Sequence, residues 1–382
     1  MIYLDNAATS WPKPPCVEHA IMRYLREVGA SPGRSGHRLA NEAERIRFDV
    51  REALAELLGV RDPRRVVFTS NATAAINLVL RGLLDPGAHA VVTGMEHNAV
   101  LRPLRALERH GVSVSIAACR ADGTMDAESI EAHLRSNTRL ITAVHASNVC
   151  GAILPVREIG VIARRRGIPF LVDAAQTAGC VPINVHADNI DLLAFTGHKG
   201  LLGPSGTGGL VIHDEFDIAR LPPLLRGGTG SRSEQQRQPD LLPDKYEAGT
   251  PNILGLAGLA ASVRHVLDRG VETMMEHEHA LTGRLMEGLR RIDRVRLFGP
   301  PDARRRTAVV SFTIDGLPVS EIAYRLDEEF GIMCRPGLHC APRAHQTLGT
   351  LPDGTVRLAA GPFTGEDEID AAIEAVRILA EA

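Results

Sequence analysis

The sequence lacks the features of several classes of protein. No apolar run approaches the ~18 residues that a membrane-spanning helix needs, and the N-terminal residues MIYLDN contain no basic segment followed by an apolar one. No long run of lysine or arginine occurs, and the net charge is −3, so a basic surface for nucleic acid is not predicted. We therefore expect a cytoplasmic protein that binds neither membranes nor nucleic acid.

Cysteine is also sparse, and none of the cysteines forms a C-x-x-C pair. We therefore predict neither a structural zinc site nor any other metal centre. In a cytosolic chain of this length we expect free thiols rather than disulfides. The six cysteines are Cys16, Cys119, Cys150, Cys180, Cys334 and Cys340.

Short apolar segments alternate with amphipathic ones over the first two thirds of the 382 residues. The predicted strands are 65–69, 90–93, 112–116, 140–144, 169–173, 192–195 and 208–212. The predicted helices are 72–84, 99–110, 127–134 and 156–166. This alternation predicts an α/β fold in which helices cover both faces of a mostly parallel sheet.

The pattern changes after about residue 250. Helices are predicted at 253–267, 271–292 and 366–380, and strands at 308–313 and 355–358. We expect a large domain over residues 15–255 and a smaller α+β domain over residues 256–382. Residues 1–14 are expected to form an arm that packs with the small domain. The polar stretch 227–244 is predicted to be a mobile surface loop, and loops of that length are often functional.

Ligands in open α/β sheets bind at the carboxyl ends of the strands, so the residues that follow each predicted strand are informative. After the first strand, residues 69–73 (TSNAT) lead into a helix, where free backbone N–H groups suit a phosphate. For this segment alone an ordinary helix cap is the favoured alternative.

Three further strand ends carry chemically useful side chains. Asp173 ends a buried strand and requires a partner, which a protonated pyridine nitrogen would supply; a helix N-cap is an equal alternative. Lys199 lies in a turn after the strand 192–195, where a lowered pKa would make it a nucleophile or base. His97 follows the strand 90–93 and offers a ring that can stack on a planar cofactor. Taken singly, a solvated lysine and a capping histidine are the simpler interpretations.

The four features occur in the order phosphate turn, ring, carboxylate and lysine. An electron-sink cofactor needs this set: a phosphate anchor, a stacking partner, a carboxylate at the pyridine nitrogen and a lysine that forms a Schiff base. The combination therefore predicts pyridoxal 5′-phosphate as the cofactor.

The motifs of the whole chain resemble those of the class V aminotransferase family, and within it the branch of cysteine desulfurases and selenocysteine lyases. They are YLDNAAT (3–9), FTSNAT (68–73), EHN (96–98), HASN (145–148), VDAAQ (172–176), TGHK (196–199), YEAGTPN (246–252) and RPGLHC (335–340). The resemblance implies a pyridoxal-phosphate-dependent transferase of fold type I, similar to aspartate aminotransferase.

The resemblance also implies roles for the residues that hold the cofactor. Lys199 is expected to form the Schiff base and to transfer protons. Asp173 is expected to pair with the pyridine nitrogen, Gln176 with the ring hydroxyl, and His97 to stack on the ring. The residues expected to hold the phosphate are Ala72, Thr73, Thr196, His198 and, from the neighbouring subunit of a homodimer, Thr250.

On the substrate side, the resemblance implies that Asn148 and Arg357 hold the substrate carboxylate, with a lesser contribution from Arg335. Cys340 matches the cysteine that accepts sulfur. The predicted reaction converts L-cysteine to L-alanine and leaves a persulfide on Cys340 for transfer to an acceptor protein. The alternatives are selenocysteine lyase, C–S β-lyase or epimerase activity on the same scaffold, or a scaffold subunit without activity.

Several residues near Cys340 qualify this prediction. Pro336, Gly337 and Pro342 indicate a loop rather than a core strand, which favours a reactive thiol over an inert buried one. Pro336 and Leu338 stand where the desulfurase motif often has a polar residue and a second histidine, so substrate preference and turnover are left open. The segment 31–37 is unlike the typical desulfurase loop and receives no predicted role.

Overall fold

The computed structural model describes residues 1–33 and 36–382, so part of the segment 31–37 lies outside the described residues. The strands are β1 (Ile2–Tyr3), β2 (Val66–Thr69), β3 (His89–Thr93), β4 (Ser113–Ala117), β5 (Thr138–Val144), β6 (Phe170–Asp173), β7 (Leu192–Thr196), β8 (Gly208–Ile212), β9 (Val295–Phe298), β10 (Val309–Ile314), β11 (Ile332–Met333), β12 (Arg335–Gly337) and β13 (Thr355–Ala359). The helices are α1 (Pro15–Arg23), α2 (Arg38–Leu58), α3 (Ala72–Leu83), α4 (Asn98–Glu108), α5 (Glu128–Glu131), α6 (Val156–Arg166), α7 (Ile253–Arg269), α8 (Val271–Arg290), α9 (Val319–Phe330), α10 (Pro342–Leu348) and α11 (Glu366–Glu381).

The large domain is built on a seven-stranded sheet in the order β2-β8-β7-β6-β5-β3-β4. Every strand runs parallel to the others except β8, which is antiparallel to both of its neighbours. Separate apolar cores cover the two faces of the sheet, which explains why its strands are almost continuously apolar. The predicted α/β fold with a mostly parallel sheet is thus confirmed, and each predicted strand of this sheet matches an observed one to within two residues at either end.

A second sheet forms in the C-terminal part, with the antiparallel order β12-β13-β10-β9. Its apolar face packs with α8, α9 and α11 in a third core. The N-terminal arm joins this region, because β1 pairs in parallel with β11 and Asp5 bridges to Ala359. Helix α7 instead packs on α1 and α2, and its side chains Ile253, Leu256, Leu259 and Val263 belong to the core of the large domain. We therefore propose that the division between domains falls near Gly270 rather than at residue 255.

Some elements differ from the sequence-based expectation. The helix predicted at 127–134 is a single turn, Glu128–Glu131, and four helices and four short strands were not predicted (α1, α2, α9, α10, β1, β9, β11 and β12). The segment predicted to be a loop before Cys340 begins as the edge strand β12, where Pro336 is tolerated because only one side of that strand is paired. Residues 227–244 form neither helix nor strand and are mostly exposed, but their mobility stays a prediction.

No helix in the described ranges is long and apolar enough to cross a membrane. All six cysteines are free. Within the same ranges, no three histidine, cysteine or acidic side chains are grouped so that they would hold a metal ion.

Candidate active site

A cavity at the carboxyl ends of β5, β6 and β7 brings together most of the residues predicted to bind the cofactor. Its lining consists of Asn71, Ala72, Thr73, His97, Ala99, Val144, Asn148, Asp173, Ala175, Gln176, Thr196, His198 and Lys199. Every residue predicted to hold the cofactor within one chain is therefore on its wall. Four residues of the predicted site lie outside this lining, namely Thr250, Arg335, Cys340 and Arg357.

One end of the cavity is suited to an anion. Helix α3 begins here, and the side chain of Asn71 caps it by accepting a hydrogen bond from the Ala74 backbone N–H at 2.9 Å. The N–H groups of Ala72 and Thr73 belong to the first turn, which has no intrahelical acceptors. His198 is also part of the lining, and its buried Nδ1 has no hydrogen-bond partner in the described structure. Burial, and then the charges of Lys199 and Lys13, lower the pKa of His198 to about 4, so it can act as a neutral hydrogen-bonding group.

The lining of the cavity also includes the ring of His97 and the carboxylate of Asp173. His97 caps α4, since its Nδ1 accepts a hydrogen bond from the Ala99 N–H at 3.0 Å. Burial and the positive charges of Lys199 and Arg335 lower the pKa of His97 to about 4, so its ring is neutral near pH 7. Asp173 is only 3% exposed, and its Oδ1 accepts a hydrogen bond from the Ala175 N–H at 3.0 Å. Burial raises the pKa of Asp173, which identifies it as a carboxylate that needs a cationic partner.

Lys199 follows β7 in a turn and reaches the wall of the cavity. It is partly accessible through the cavity, but protein atoms surround its amine. Burial lowers the pKa of Lys199 to about 8, against the opposing effect of Asp173 and with a further lowering from Arg357 and Arg335. About a tenth of the amine is therefore unprotonated and nucleophilic at pH 7, and about half of it at pH 8.

Gln176 connects the cavity to the N-terminal arm. It is buried, and its Nε2 donates a hydrogen bond to the Ala7 carbonyl at 3.0 Å. One N–H of the amide is therefore engaged by the arm, and the second is available to a ligand in the cavity.

Arg357 lies beside the cavity, and it makes hydrogen bonds and an ion pair within the protein that the sequence did not predict. Its guanidinium donates to the Asn148 carbonyl at 3.0 Å and forms an ion pair with Asp5 at 2.6 Å, while its buried Nε has no partner in the described structure. Arg335 of β12 lies directly opposite Arg357 of β13 in the antiparallel register of the two strands. Asn148 donates one N–H of its Nδ2 to the His339 carbonyl at 2.7 Å, which leaves the second N–H of this amide, and its buried Oδ1 has no partner in the described structure.

Cys340 lies on the turn between β12 and α10 and is exposed. His339 and Cys340 have successive positive φ angles of 48° and 59°. His339 is buried, with its Nε2 3.3 Å from Thr355 Oγ1, and burial lowers its pKa far below the usual range. The Asn98 N–H donates to the Cys340 carbonyl at 2.9 Å, which fastens the turn to the start of α4. Cys340 lines a second concavity that shares Thr73, His97 and Ala99 with the cavity at the ends of β5, β6 and β7.

Thr250 is exposed and lies in a different hollow, together with Phe68, Ser70 and Tyr246. It does not reach the cavity of its own chain. Its predicted contact with a neighbouring subunit stays a prediction.

Sequence reasoning missed two carboxylates of this region. Asp5 forms the ion pair with Arg357, although 352 residues separate them. Glu96, which directly precedes His97, is completely buried between the ends of β3 and β5. A charged residue at the end of an apolar strand was the available signal for Glu96, whereas no local pattern indicated the role of Asp5.

Comparison with known proteins agrees with this geometry. A model of the family "Aminotransferase class-V" matches residues 2–372. A probable cysteine desulfurase of Methanothermobacter thermautotrophicus is 36% identical over 371 residues, which cover 96% of this chain and 92% of that protein. One from Halobacterium salinarum is 36% identical over 385 residues, covering 98% and 91%.

Two solved structures are similar over nearly the whole chain. The apo structure of a cysteine desulfurase from Thermococcus onnurineus has a TM-score of 0.93 at 34% identity, covering 100% of this chain and 94% of that one. The cysteine desulfurase CsdA from Escherichia coli, in an S-sulfonic acid form, has a TM-score of 0.87 at 29% identity, covering 99% and 94%. The chain belongs to the class V aminotransferase family.

Proposed function

We propose that this protein is a pyridoxal-phosphate-dependent cysteine desulfurase that converts L-cysteine to L-alanine and leaves a persulfide on Cys340. The observation that carries the proposal is the position of Cys340. It is an exposed thiol on a turn that a backbone hydrogen bond joins to the start of α4. The concavity that Cys340 lines has His97 in common with the cavity that contains Lys199 and Asp173. The relatives named cysteine desulfurase support the same activity.

The residues of the cavity fit pyridoxal 5′-phosphate. The start of α3 and the unpartnered Nδ1 of His198 suit its phosphate, with Thr196 beside them. Asp173 would pair with the ring nitrogen, Gln176 with the ring hydroxyl, and Lys199 would hold the aldehyde covalently. When bound, this cofactor supplies an electron sink that stabilises negative charge on the carbon atoms of an amino acid.

The residues of the chain perform the remaining steps. Lys199, with its pKa lowered to about 8, moves protons to and from the substrate. His97 engages Nδ1 in capping α4, so only its Nε2 can exchange a proton with groups in the cavity. Arg357 binds the substrate carboxylate through N–H groups that neither Asp5 nor the Asn148 carbonyl uses, with Arg335 beside it.

Cys340 takes the sulfur atom. Its thiolate attacks the sulfur of the bound cysteine, so that an S–S bond forms while the C–S bond breaks. The electron pair of the C–S bond stays with the carbon skeleton, which takes up a proton and leaves as alanine. L-cysteine and the Cys340 thiol therefore give L-alanine and the Cys340 persulfide, and an acceptor removes the outer sulfur.

We further propose that the protein acts as a homodimer in which Thr250 reaches the phosphate of the other subunit. Thr250 lies outside the cavity of its own chain, in a hollow that also contains the exposed Leu224 and Leu225. An exposed apolar hollow beside a polar binding residue is typical of a subunit interface.

The test incubates the holoenzyme with L-cysteine and a reductant and measures alanine, sulfide and pyruvate together. We expect alanine and sulfide in equal amounts, and loss of both in Cys340→Ser with the cofactor absorbance retained. Cys16→Ser is the matched control, since Cys16 lies on α1 and outside the linings of the cavity and the Cys340 concavity. Pyruvate that persists in Cys340→Ser would identify β-elimination instead, and a parallel assay with selenocysteine measures which substrate is preferred.

A further inference from the structure

The concavity lined by Cys340 carries positive charge. Arg81 of α3 and Arg102 of α4 form part of its wall, and its lining contains no aspartate or glutamate. Both arginines are exposed, and neither takes part in an ion pair within the described residues. The Arg81 Nε donates a hydrogen bond to Asn77 Oδ1 at 3.4 Å, which leaves the other N–H groups of its guanidinium able to bind a ligand.

Two more arginines lie close to the same turn. Arg335 is on β12, which leads to Cys340, and Arg343 follows it on α10. The charges of Arg335 and Arg102 both act on the ring of His97, which is part of the concavity. The chain as a whole has a net charge of −3, so the charge of this region is opposite in sign to that of the whole protein.

We propose that the concavity recognises a protein acceptor whose thiol is flanked by acidic side chains. The inference rests on the proposed function, because it concerns the removal of sulfur from Cys340. Arg81 and Arg102 would attract the acidic side chains and raise the local concentration of the acceptor thiol. They would also reduce the repulsion between the incoming thiolate and a negatively charged persulfide.

The transfer step balances without an external oxidant or reductant. The acceptor thiolate attacks the outer sulfur of the Cys340 persulfide, a new S–S bond forms, and the old S–S bond breaks. Its electron pair stays on Cys340, which becomes a thiolate and takes up a proton. One thiol and one persulfide therefore give one persulfide and one thiol.

The experiment measures how fast three capped peptides remove the persulfide from the holoenzyme after a single turnover with L-cysteine. The peptides are acetyl-Glu-Cys-Glu-amide, acetyl-Gln-Cys-Gln-amide and acetyl-Lys-Cys-Lys-amide. At low ionic strength we expect the acidic peptide to react about tenfold faster than the basic one. The difference should shrink in 0.5 M NaCl, because salt at about that concentration screens charges beyond a few ångströms.

Variants separate the effect of the charge of the concavity from the intrinsic reactivity of each peptide. The ratio of the reaction rates of two peptides is measured for each enzyme, and these ratios are compared between enzymes. Arg81→Glu/Arg102→Glu should reverse the order of the acidic and basic peptides. Arg109→Glu is the matched control, because Arg109 ends the same helix α4 about 10 Å further along its axis; it should keep the order of the wild type.

A ratio of the acidic to the basic peptide rate that is the same in the wild type and in Arg81→Glu/Arg102→Glu would overturn the inference while leaving the desulfurase activity intact. A holoenzyme that forms no persulfide from L-cysteine would overturn the proposed function, and this inference with it.

Discussion

Glu96 provides the sharpest test of the charge states in the candidate site. Its Oε1 accepts hydrogen bonds from Thr93 Oγ1 at 2.6 Å and from the Val144 N–H at 2.9 Å, and its Oε2 is buried without a partner among the described residues. Burial raises the pKa of Glu96 to about 8, and the nearby charge of Asp173 adds to this. The carboxyl group is therefore mostly protonated at pH 7, so it adds no second negative charge beside Asp173.

The size of the effect follows from the two pKa values. The unfolded chain loses the Glu96 proton near pH 4.5, whereas the folded chain keeps it up to about pH 8. Stability is therefore lost as the pH rises between these values, and at pH 7 the loss is about 3 kcal/mol. Glu96→Gln cannot ionise and keeps an oxygen acceptor, so its stability relative to wild type should rise from pH 4.5 to about 8 and then level off.

Glu96→Ala removes the acceptor of the Val144 N–H and the Thr93 hydroxyl and leaves a cavity. At pH 5 this should cost about 2–5 kcal/mol of unfolding free energy. The assay is unfolding in urea between pH 5 and 8, together with the circular dichroism of the bound cofactor, which reports the position of His97. Glu128→Gln, at an exposed position on α5, is the control. If the stability of Glu96→Gln relative to wild type did not rise between pH 5 and 8, the carboxylate would be charged in the folded protein and the reasoning would be wrong.

Three further outcomes are expected. Arg357→Lys keeps the charge but not the planar fork, so the KM for L-cysteine should rise about tenfold with a smaller change in kcat, measured by alanine formation. Asp5→Asn breaks the ion pair that holds Arg357; it should lower the unfolding temperature and raise the KM in the same assay, and an unchanged KM would show that Asp5 does not orient Arg357. Uptake of pyridoxal phosphate by the apoenzyme should accelerate as the pH rises and level off above about 8, because only the neutral amine of Lys199 reacts; stopped-flow absorbance measures this, and a rate that kept rising towards pH 10 would contradict the lowered pKa.

The sheet was predictable from the sequence because its strands are buried on both faces and therefore appear as uninterrupted apolar runs. Helix α2 was not, although it has 21 residues. Much of its buried face is alanine, at Ala40, Ala43, Ala53 and Ala55, which contrasts weakly with the polar positions. The short strands β1, β11 and β12 exist only through pairing with distant segments, so no local pattern reveals them.

The strand-end residues of the site were predictable for the same topological reason. Asp173 is the last residue of β6, and Lys199 follows β7. These two strands are parallel neighbours, so their carboxyl ends must meet at one edge of the sheet. The partners of Arg357 were not predictable, since Asp5 reaches it through the arm and the Asn148 carbonyl through a loop after β5. The sequence predicted which side chains are present, but not which of their hydrogen-bonding atoms the protein itself already uses.

The charge states in the cavity explain why it is suited to one particular kind of ligand. Burial is the largest cause of the pKa shifts of Lys199, His97, His198 and Asp173, and each shift favours the neutral form. The protein therefore places a buried carboxyl group at one position of the cavity wall and free backbone N–H donors at another. A ligand with a cationic ring nitrogen at one end and a phosphate at the other satisfies both positions at once. A cationic ring nitrogen next to Asp173 would oppose the effect of burial on the pKa of this carboxyl group.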